Sequence, residues 1–410
     1  MNSSKVLIIG AGQAAIYAAI EIRKHDEESV ITIFGEENYL PYERPPLSKD
    51  FLISKKQEDE ILFFSKQFFE DKKISFINKK IEKVDFKNKL ITSHNDNFFY
   101  DKLLITTGSI NRKLELDSQI DNKIYYLRNL DEAIKIKEKT LKANKIAIIG
   151  GGFIGLEIAS SLNKLNKEVS VIEISTQLMS RIIPTAIANL VKEEHEKRGN
   201  KIYVDCKINN IQKNHEGFKI MLENETIIDA EIIIAGIGSI PSISLFNNSD
   251  LDLDNGILTD EYCQTSIANV YAAGDVTNFY HPFFNKRFRL ESYQHAQNHG
   301  INAGKNIAGI KSEYTSIPWM WSDQFNLNLQ LTGLCDDYDE VVIRGNTLEN
   351  GIIHFFIQDN KIVGACGIGY IGKVGRDIRI ASKLIEKQTI IDKKILSDQN
   401  TKLNPLLKNN

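Results

Sequence analysis

Residues 5–23 read KVLIIGAGQAAIYAAIEIR, and this stretch contains the pattern that decides the fold. Residues 6–9 form an apolar run typical of a short buried strand, and apolar side chains recur at helical spacing after the glycines. Between strand and helix lie Gly10, Gly12 and Ala15, spaced Gly-x-Gly-x-x-Ala. The first glycine permits a tight turn, the second lets the backbone approach a pyrophosphate, and the small third residue lets helix and strand pack closely.

A second strand and an acidic residue complete this unit. Residues 30–34 are apolar and rich in β-branched side chains, and Glu36 follows about 20 residues after Ala15, the spacing of the acid that hydrogen-bonds a ribose hydroxyl. The N-terminus of the intervening helix offers unpaired N–H groups and a positive dipole end to phosphates. The unit therefore predicts a dinucleotide site.

The same unit occurs a second time. Residues 145–157 read KIAIIGGGFIGLE, with Gly150, Gly152 and Gly155 at the same spacing, and Glu173 ends the strand that follows. One such pattern is a weak signal, because glycine-rich strand–helix turns also occur for packing reasons. Two complete units, each with its terminal acid, predict two dinucleotide sites in one chain.

Glu173 also bears on the choice of cofactor. A carboxylate at this position hydrogen-bonds the ribose hydroxyls of NAD and repels a 2′-phosphate, where an NADP enzyme usually has Arg. Residues 174–180 contain no Arg or Lys, although Arg181 lies just beyond them. The sequence favours NADH and leaves NADPH open.

Composition and charge exclude several other classes of protein. The 410 residues suggest two to four domains, and a formal charge of −3 indicates neither a nucleic-acid surface nor an acidic tail. No apolar run has the length of a membrane helix. The four cysteines are widely separated and lack metal-site spacing, so we expect a soluble cytoplasmic protein without a metal. His295 and His299 are four residues apart, but core or solvent histidines are favoured over a metal pair.

Three further motifs make the chain resemble a known family. Residues 41–49 read PYERPPLSK, residues 270–276 read VYAAGDV and residues 318–324 read PWMWSDQ. Together with the two glycine patterns they resemble the FAD-dependent NAD(P)H:ferredoxin reductases, the group that contains putidaredoxin reductase and the ferredoxin reductase components of dioxygenases. The resemblance covers nearly the whole chain. It weakens around residues 364–370, where glycines and Tyr370 replace an Asn-x-Pro type segment.

The resemblance implies a glutathione-reductase-like α/β architecture. Two Rossmann-like doubly wound domains, one for FAD and one for NAD, precede a C-terminal α+β interface domain. The implied boundaries are 1–112 and 247–317 for a discontinuous FAD domain, 113–246 for the NAD domain and 318–410 for the interface domain. The polar residues from Ser397 onward predict a mobile tail.

Position matching to the family also implies site residues. The implied FAD contacts, in addition to the glycines, are Ala14, Glu36, Lys49, Ile81, Arg128, Asp275 and Tyr293. By the same resemblance Lys49 reaches the isoalloxazine, Glu157 pairs with Lys49 near the nicotinamide, and Trp321 lies between flavin and acceptor. The alternatives are a surface lysine, a helix-surface glutamate and a tryptophan that fills the core.

The implied activity is that of a flavoprotein reductase. Hydride passes from NADH to FAD, and single electrons pass to a small [2Fe–2S] ferredoxin, or a rubredoxin, that serves an oxygenase or P450. We expect a monomer or weak homodimer with no nucleic-acid or membrane partner.

Two kinds of alternative stay open. One is an NADH-dependent reductase of a small non-thiol acceptor, and the other is a non-catalytic FAD/NAD redox-sensing interaction protein. A disulfide reductase or NADH oxidase is disfavoured, because those enzymes need a redox-active thiol beside the flavin and this sequence has no cysteine before Cys206.

Overall fold

The computed structural model describes residues 3–115, 120 and 123–408. Its helices follow the apolar periodicity of the sequence, and several begin at a polar capping residue such as Ser65, Asn129 or Ser292. The α-helices are α1 (Gln13–His25), α2 (Lys66–Asp71), α3 (Leu130–Lys142), α4 (Phe153–Lys164), α5 (Thr185–Lys197), α6 (Tyr293–Ile307), α7 (Gly375–Glu386) and α8 (Lys393–Ser397).

The strands are short and mostly apolar, with runs of Ile and Val where both faces of a sheet are covered. They are β1 (Lys5–Ile9), β2 (Val30–Gly35), β3 (Ile74–Asn78), β4 (Lys83–Asp85), β5 (Leu90–Ser93), β6 (Asp96–Phe99), β7 (Lys102–Ile105), β8 (Ser109–Asn111), β9 (Ile124–Tyr126), β10 (Lys145–Ile149), β11 (Glu168–Ile172), β12 (Lys201–Tyr203), β13 (Ile208–Lys213), β14 (Phe218–Leu222), β15 (Ile227–Ala230), β16 (Ile232–Ala235), β17 (Ser239–Pro241), β18 (Ile257–Thr259), β19 (Val270–Ala272), β20 (Thr277–His281), β21 (Lys286–Phe288), β22 (Trp319–Gln324), β23 (Leu327–Gly333), β24 (Glu340–Arg344), β25 (Ile352–Gln358) and β26 (Lys361–Tyr370).

The chain divides into two compact units. Unit 1 consists of residues 1–43, 58–110 and 239–316, and unit 2 consists of residues 44–57, 111–238 and 317–410. Unit 2 thus contains both the second glycine pattern and the C-terminal segment. The three-domain division predicted from the sequence, with its separate interface domain, stays a prediction.

Unit 1 contains the first doubly wound sheet. Its parallel strands lie in the order β19-β7-β1-β2-β3, so the chain leaves the centre at β1, moves to one side and returns to the other. Helix α1 connects β1 to β2 and packs closely on α6, where a Cβ at Gly300 would lie 2.3 Å from the carbonyl oxygen of Ala14. The carboxyl ends of β1 and β7 meet at this reversal of strand order, where ligands bind in such sheets.

Unit 2 contains a second sheet of the same kind. Its parallel strands lie in the order β12-β11-β10-β16-β9, and the apolar residues of β10 and β16 are buried on both faces. The three-stranded antiparallel sheet β13-β14-β15 accompanies it. Both Rossmann-like domains expected from the sequence are therefore present.

The C-terminal segment of unit 2 is an antiparallel sheet with a helix. Its strands lie in the order β22-β23-β26-β25-β24, and α7 packs on β26 and β23. The side chains of Leu327, Leu329 and Phe356 join the same apolar core as Ile148 and Leu156. This is the expected α+β segment.

The predicted mobile tail is packed instead. Leu403 and Leu406 are buried, and residues 404–408 form a 3-10 helix. The guanidinium of Arg344 donates to four main-chain carbonyls between residues 396 and 401. The prediction relied on the polar composition of this segment and gave no weight to the two leucines that are buried. It was therefore wrong for most of the segment.

Candidate functional site

Both glycine turns need glycine at their first position. Gly10 and Gly150 have φ of 104° and 106°, a region that residues with a Cβ rarely adopt. A Cβ on Gly10 would lie 2.3 Å from the carbonyl oxygen of Thr106, and one on Gly150 would lie 2.4 Å from that of Gly236. The strand next to each turn therefore approaches so closely that no side chain fits.

The second glycine of each turn faces open space. A Cβ on Gly12 would meet nothing within 4 Å, and one on Gly152 only the carbonyl of Gly236 at 4.0 Å. These glycines are the N-caps of α1 and α4, and among the described residues no side chain caps either helix. Open space beside unpaired N–H groups at a helix N-terminus suits a phosphate group.

Glu173 is held at the edge of the second turn. Its Oε2 accepts from the main-chain N–H of Gly151 at 2.7 Å, and its Oε1 accepts from that of Ser175 at 2.8 Å. A carboxylate has about four lone-pair positions, so both oxygens keep capacity for ribose hydroxyls. The guanidinium of Arg181 lies close to Gly238, at the end of the segment that follows β16.

In unit 1 the predicted FAD contacts differ in their surroundings. The Glu36 side chain is 64% exposed, and its carboxylate lies 3.3 Å from the Lys80 ammonium. Ala14 and Ala15 are buried in the core around α1, and Ile81 is buried beside Phe34. Glu36 is thus available to a ligand, whereas Ile81 belongs mainly to the core.

Asp275 and Tyr293 are both hydrogen-bonded within unit 1. The Asp275 Oδ2 accepts from the Ser109 hydroxyl at 3.2 Å. The Tyr293 hydroxyl donates to Glu43 Oε1 at 2.7 Å, and burial, together with this acidic neighbour, raises the pKa of the Tyr293 phenol. Tyr293 is the first residue of α6.

Lys49 and Glu157 form an ion pair in unit 2, with the carboxylate buried and the ammonium partly exposed. The Lys49 Nζ lies 2.7 Å from Glu157 Oε2, and Glu157 is 3% exposed, so it is not a surface residue. The same oxygen accepts from the Ser48 hydroxyl at 2.5 Å, and Oε1 accepts from the Ser322 hydroxyl at 2.8 Å. Three donors thus compensate the buried carboxylate, as such a charge requires.

Trp321 and Arg128 also lie in unit 2. Trp321 is half-buried on β22, and its ring stacks on Trp319 with centroids 5.2 Å apart and planes at 21°. The main-chain carbonyl of Arg128 accepts from the Arg44 guanidinium. Lys49, Arg128 and Trp321 therefore belong to one unit, and the other predicted FAD contacts belong to unit 1.

Unit 1 fits the FAD that the fold implies. Within the described residues, the buried atoms Gln13 Oε1 and Arg289 Nε have no hydrogen-bond partner. Gln13 is the first residue of α1, next to the open space at Gly12. Buried polar atoms without a partner are costly, and the polar groups of a dinucleotide would supply partners.

The two histidines of α6 are core residues. His295 and His299 are buried, with ring centroids 4.8 Å apart, and burial lowers the pKa of His295 to about 4. In the part of the chain that the structure describes, no group of three or more His, Cys, Asp or Glu side chains could hold a metal ion. No described helix is both long enough and apolar enough to cross a lipid bilayer.

Comparison with known proteins identifies the family. Residues 4–300 match the profile of the pyridine nucleotide-disulphide oxidoreductases. The chain belongs to this family. Residues 319–407 of this oxidoreductase match a second profile, described as reductase C-terminal.

Relatives of this oxidoreductase align over most of its length. The ferredoxin–NAD(+) reductase component of the anthranilate 1,2-dioxygenase system from Burkholderia cepacia is 30% identical over 412 residues, which cover 99% of this chain and 100% of the relative. Rubredoxin-NAD(+) reductase from Ectopseudomonas oleovorans is 32% identical over 355 residues, covering 85% and 92%. The crystal structure of a ferredoxin reductase from Rhodopseudomonas palustris has a TM-score of 0.93 at 27% identity, with coverage of 98% and 99%.

Sequence reasoning missed several residues of the oxidoreductase site. Ser48 and Ser322 were noted only as parts of quoted motifs, yet both donate to Glu157. Glu43 and Ser109, which bond Tyr293 and Asp275, were not singled out. Isolated serines more than a hundred residues from their partner carry no periodic signal, although two of these four residues lie in the quoted segment 41–49.

Proposed function

We propose that this chain is an NADH-dependent flavoprotein reductase that delivers electrons to a small iron–sulfur protein, either a [2Fe–2S] ferredoxin or a rubredoxin. The observation that carries the proposal is the Lys49–Glu157 ion pair, whose carboxylate is buried one turn into the helix that begins at the open Gly152 turn. Burial of a carboxylate costs free energy unless it is paired, and its place beside a dinucleotide-binding turn suits a functional site.

The relatives support the class of acceptor. Those described above are named as ferredoxin or rubredoxin reductases and align with this chain over nearly their whole lengths. This chain also lacks the cysteine that an internal disulfide step would need, since Cys206 is its first. Cys263 and Cys366 are buried, and burial raises the pKa of both thiols, which disfavours the reactive thiolate.

The residues of unit 2 account for the nicotinamide cofactor. The turn from Gly150 to Gly152 and the N-terminus of α4 would take the pyrophosphate, and Glu173 would accept hydrogen bonds from the ribose. Lys49 and Glu157 would orient polar groups at the reacting end. The Glu173 carboxylate would repel a 2′-phosphate, and the Arg181 guanidinium lies near Gly238, so NADH is preferred.

The residues of unit 1 account for the flavin cofactor. Gly10, Gly12 and Glu36 would hold the pyrophosphate and ribose, and Asp275 and Tyr293 would contact the flavin half. Bound FAD accepts hydride as two electrons and can release them one at a time. From the dispersed cysteines we also infer a cytoplasmic location, because thiols stay reduced there.

Trp321 supplies the test of the outward electron path. In anaerobic stopped-flow, NADH should bleach the flavin absorbance within seconds in the unsubstituted protein and in Trp321→Ala. Coupled reduction of cytochrome c through a ferredoxin or a rubredoxin should fall about tenfold in Trp321→Ala, because the large side chain facing the acceptor is removed. Reduction of ferricyanide, which needs no docking, should stay unchanged.

Trp319→Ala is the matched control, since it removes the stacked neighbour on the same strand. Unchanged coupled turnover in Trp321→Ala would remove Trp321 from the path. Fast flavin reduction without transfer to either iron–sulfur protein would indicate a reductase of a small acceptor. Slow bleaching would contradict the enzymatic function and favour a redox sensor.

A further inference from the structure

A line of hydrogen-bonded side chains runs away from Glu157 through the interior of unit 2. The Ser322 hydroxyl, which donates to Glu157 Oε1, accepts from Gln324 Nε2 at 3.2 Å. Gln324 Oε1 lies 2.9 Å from His195 Nε2. Ser322, Gln324 and His195 are each at most 2% exposed, so water does not compete for these bonds.

The line continues to the edge of the unit. His195 Nδ1 lies 3.0 Å from Asn200 Nδ2, and Asn200 Oδ1 accepts from Asn163 Nδ2 at 3.0 Å. Asn163 is half-buried near the end of α4 and also donates to the carbonyl of Arg198. The segments joined in this way are α4, α5, the loop after α5, and β22.

The charge of Glu157 dictates the direction of every bond in this line. An ionised carboxylate only accepts, so the Ser322 hydroxyl must donate to it and must itself accept from the Gln324 amide. The Gln324 carbonyl then accepts from the N–H of His195 Nε2, which leaves Nδ1 as the acceptor for Asn200. Each donor points toward the carboxylate, and such aligned bonds polarise and strengthen one another.

The line cannot conduct protons, because it contains amides. Passing a proton through Gln324 or Asn200 would require an imidic acid form, which is not accessible at neutral pH. Burial also lowers the pKa of His195 to about 4, so its ring is neutral at pH 7. The line therefore suits the orientation and stabilisation of a charge.

We propose that Ser322, Gln324 and His195 are positioning residues that hold the Glu157 carboxylate against Lys49 for the reaction with the nicotinamide. The proposal rests on the proposed function. Along β22, Ser322 and Gln324 point to one face and Trp319 and Trp321 to the other, as alternation in a strand requires. One strand thus carries the support of the carboxylate on its inner face and the candidate acceptor contact on its outer face.

The first test measures the direction of these hydrogen bonds from the tautomer of His195 and does not depend on enzymatic turnover. Nitrogen NMR of the holoenzyme labelled at its eight histidines reports ring tautomers, and the signal lost in His195→Asn identifies His195. We expect the Nε2–H tautomer from pH 6 to pH 8. In Glu157→Gln the acceptor-only group is gone, so the Nδ1–H tautomer should become populated. An unchanged tautomer in Glu157→Gln would overturn the proposal.

The second test is a double-mutant cycle on flavin reduction. Ser322→Ala leaves Oε1 without its donor, and the loss of one hydrogen bond to a charged group corresponds to about a tenfold slower reduction at saturating NADH. The dissociation constant for NAD⁺ should change by less than threefold, about the scatter expected of a neutral substitution. Ser322→Thr, which keeps the hydroxyl, should recover most of the rate.

If Ser322 acts through Glu157, the double variant Ser322→Ala/Glu157→Gln should be no slower than Glu157→Gln alone. Thr332→Val is the matched control, because Thr332 is a buried hydroxyl on the adjacent strand that donates to the carbonyl of Pro318 instead. Additive effects, or an equal loss in Thr332→Val, would show that Ser322 is merely structural. No flavin reduction in the unsubstituted protein would contradict the proposed function and would leave the tautomer result standing.

Discussion

The two Rossmann-like domains begin with the same turn and differ in what they place at the end of the next strand. In both domains the N–H of the first glycine donates to the main-chain carbonyl of the last apolar residue of the second strand. This residue is Phe34 in unit 1 and Ile172 in unit 2. The residues that follow these two positions are therefore equivalent. They are Gly35 in the first domain and Glu173 in the second, so the two acids of the sequence patterns are not equivalent.

The reason lies in the two side chains that surround Gly35. A side chain at Gly35 would meet the Cβ of Ala11 at 2.9 Å and the ring of Phe76 at 3.0 Å. In unit 2 the residue equivalent to Ala11 is Gly151, whose N–H bonds Glu173 directly. The first domain thus moves its acid one residue outward to Glu36, whereas the second holds its acid against the turn.

The largest effects are expected at the first glycine of the turn, which the two domains share. Gly10→Ala and Gly150→Ala each combine a positive φ with a contact near 2.3–2.4 Å, and should cost about 3 kcal/mol or more of stability. Gly10→Ala should lose FAD, and Gly150→Ala should lose NADH binding while retaining FAD. Gly199→Ala is the control, because Gly199 has a φ of 90° and open space around it. An equal loss in Gly199→Ala would mean that backbone strain, and not the close contact, dominates.

The next largest effect concerns pH. Lowering the pH should destabilise unit 1 more than unit 2. Burial lowers the pKa of His281, His295 and His299, all in unit 1, although Asp275 opposes this for His295. The unfolded chain binds protons that the native state does not, so stability is complete above pH 6.5 and is lost as the pH falls toward 4. His295, with a pKa of about 4, alone accounts for about 2 kcal/mol at pH 5.

Two probes follow the units separately in urea titrations at pH 7 and pH 5. Flavin release reports chiefly unit 1, which contains most of the predicted FAD contacts, and emission from the only two tryptophans, Trp319 and Trp321, reports unit 2. Unit 2 also contains His195 and His354, whose pKa values are lowered by burial. The flavin midpoint should therefore fall further than the tryptophan midpoint. The reverse order would show that the histidines of α6 are not the acid-sensitive element.

A smaller difference in stability is expected at the third position of the glycine pattern, which is Ala15 in the first domain and Gly155 in the second. Gly155→Ala places a Cβ 2.2 Å from the carbonyl oxygen of Gly150, and should lower stability by about 1–2 kcal/mol after the gain in helix propensity. The first domain accepts Ala15 at this position with no exposure, so Ala15→Gly should cost about 1 kcal/mol as a glycine in a helix. Thermal unfolding measures both. A neutral Gly155→Ala would show that α4 can move away from β10.

The smallest effects are expected on cofactor binding when Glu173 or Glu36, the acids of the two patterns, is replaced. Glu173→Ala should weaken NADH about tenfold, because a charged hydrogen-bond acceptor is lost, and should leave FAD bound. Glu36→Ala should change FAD retention by less than threefold, since an exposed carboxylate contributes little. Titration with NADH and dialysis against buffer measure these changes. Equal loss of both cofactors in Glu173→Ala would contradict the assignment of the second domain to NADH.

The turns could be predicted from sequence because their causes are local. Gly10 and Gly150 directly follow their strands, and their positive φ favours glycine by itself, although the close carbonyls of Thr106 and Gly236 are contributed by distant parts of the chain. The approach of Lys49 to Glu157 was expected only through the resemblance, since 108 residues separate them. Ser322 and Gln324 were visible only as part of the motif 318–324, and His195 lies in a strongly charged helix segment, so nothing in the sequence indicated that the three are hydrogen-bonded in line with Glu157. The offset between Gly35 and Glu173 depends on Ala11 and Phe76, which no spacing rule includes.

The hydrogen bonds of Arg344 affect which residues of the C-terminal segment can be substituted during evolution. Its guanidinium binds the carbonyl oxygens of Leu396, Asp398, Gln399 and Thr401, and its Nε donates to Asp377 at 2.9 Å. Every residue has a carbonyl oxygen, so the clamp does not depend on which side chains the segment carries. The clamp itself therefore tolerates substitution at the exposed Asp398 and Gln399, while Arg344 and the buried Leu396, Leu403 and Leu406 cannot be replaced freely.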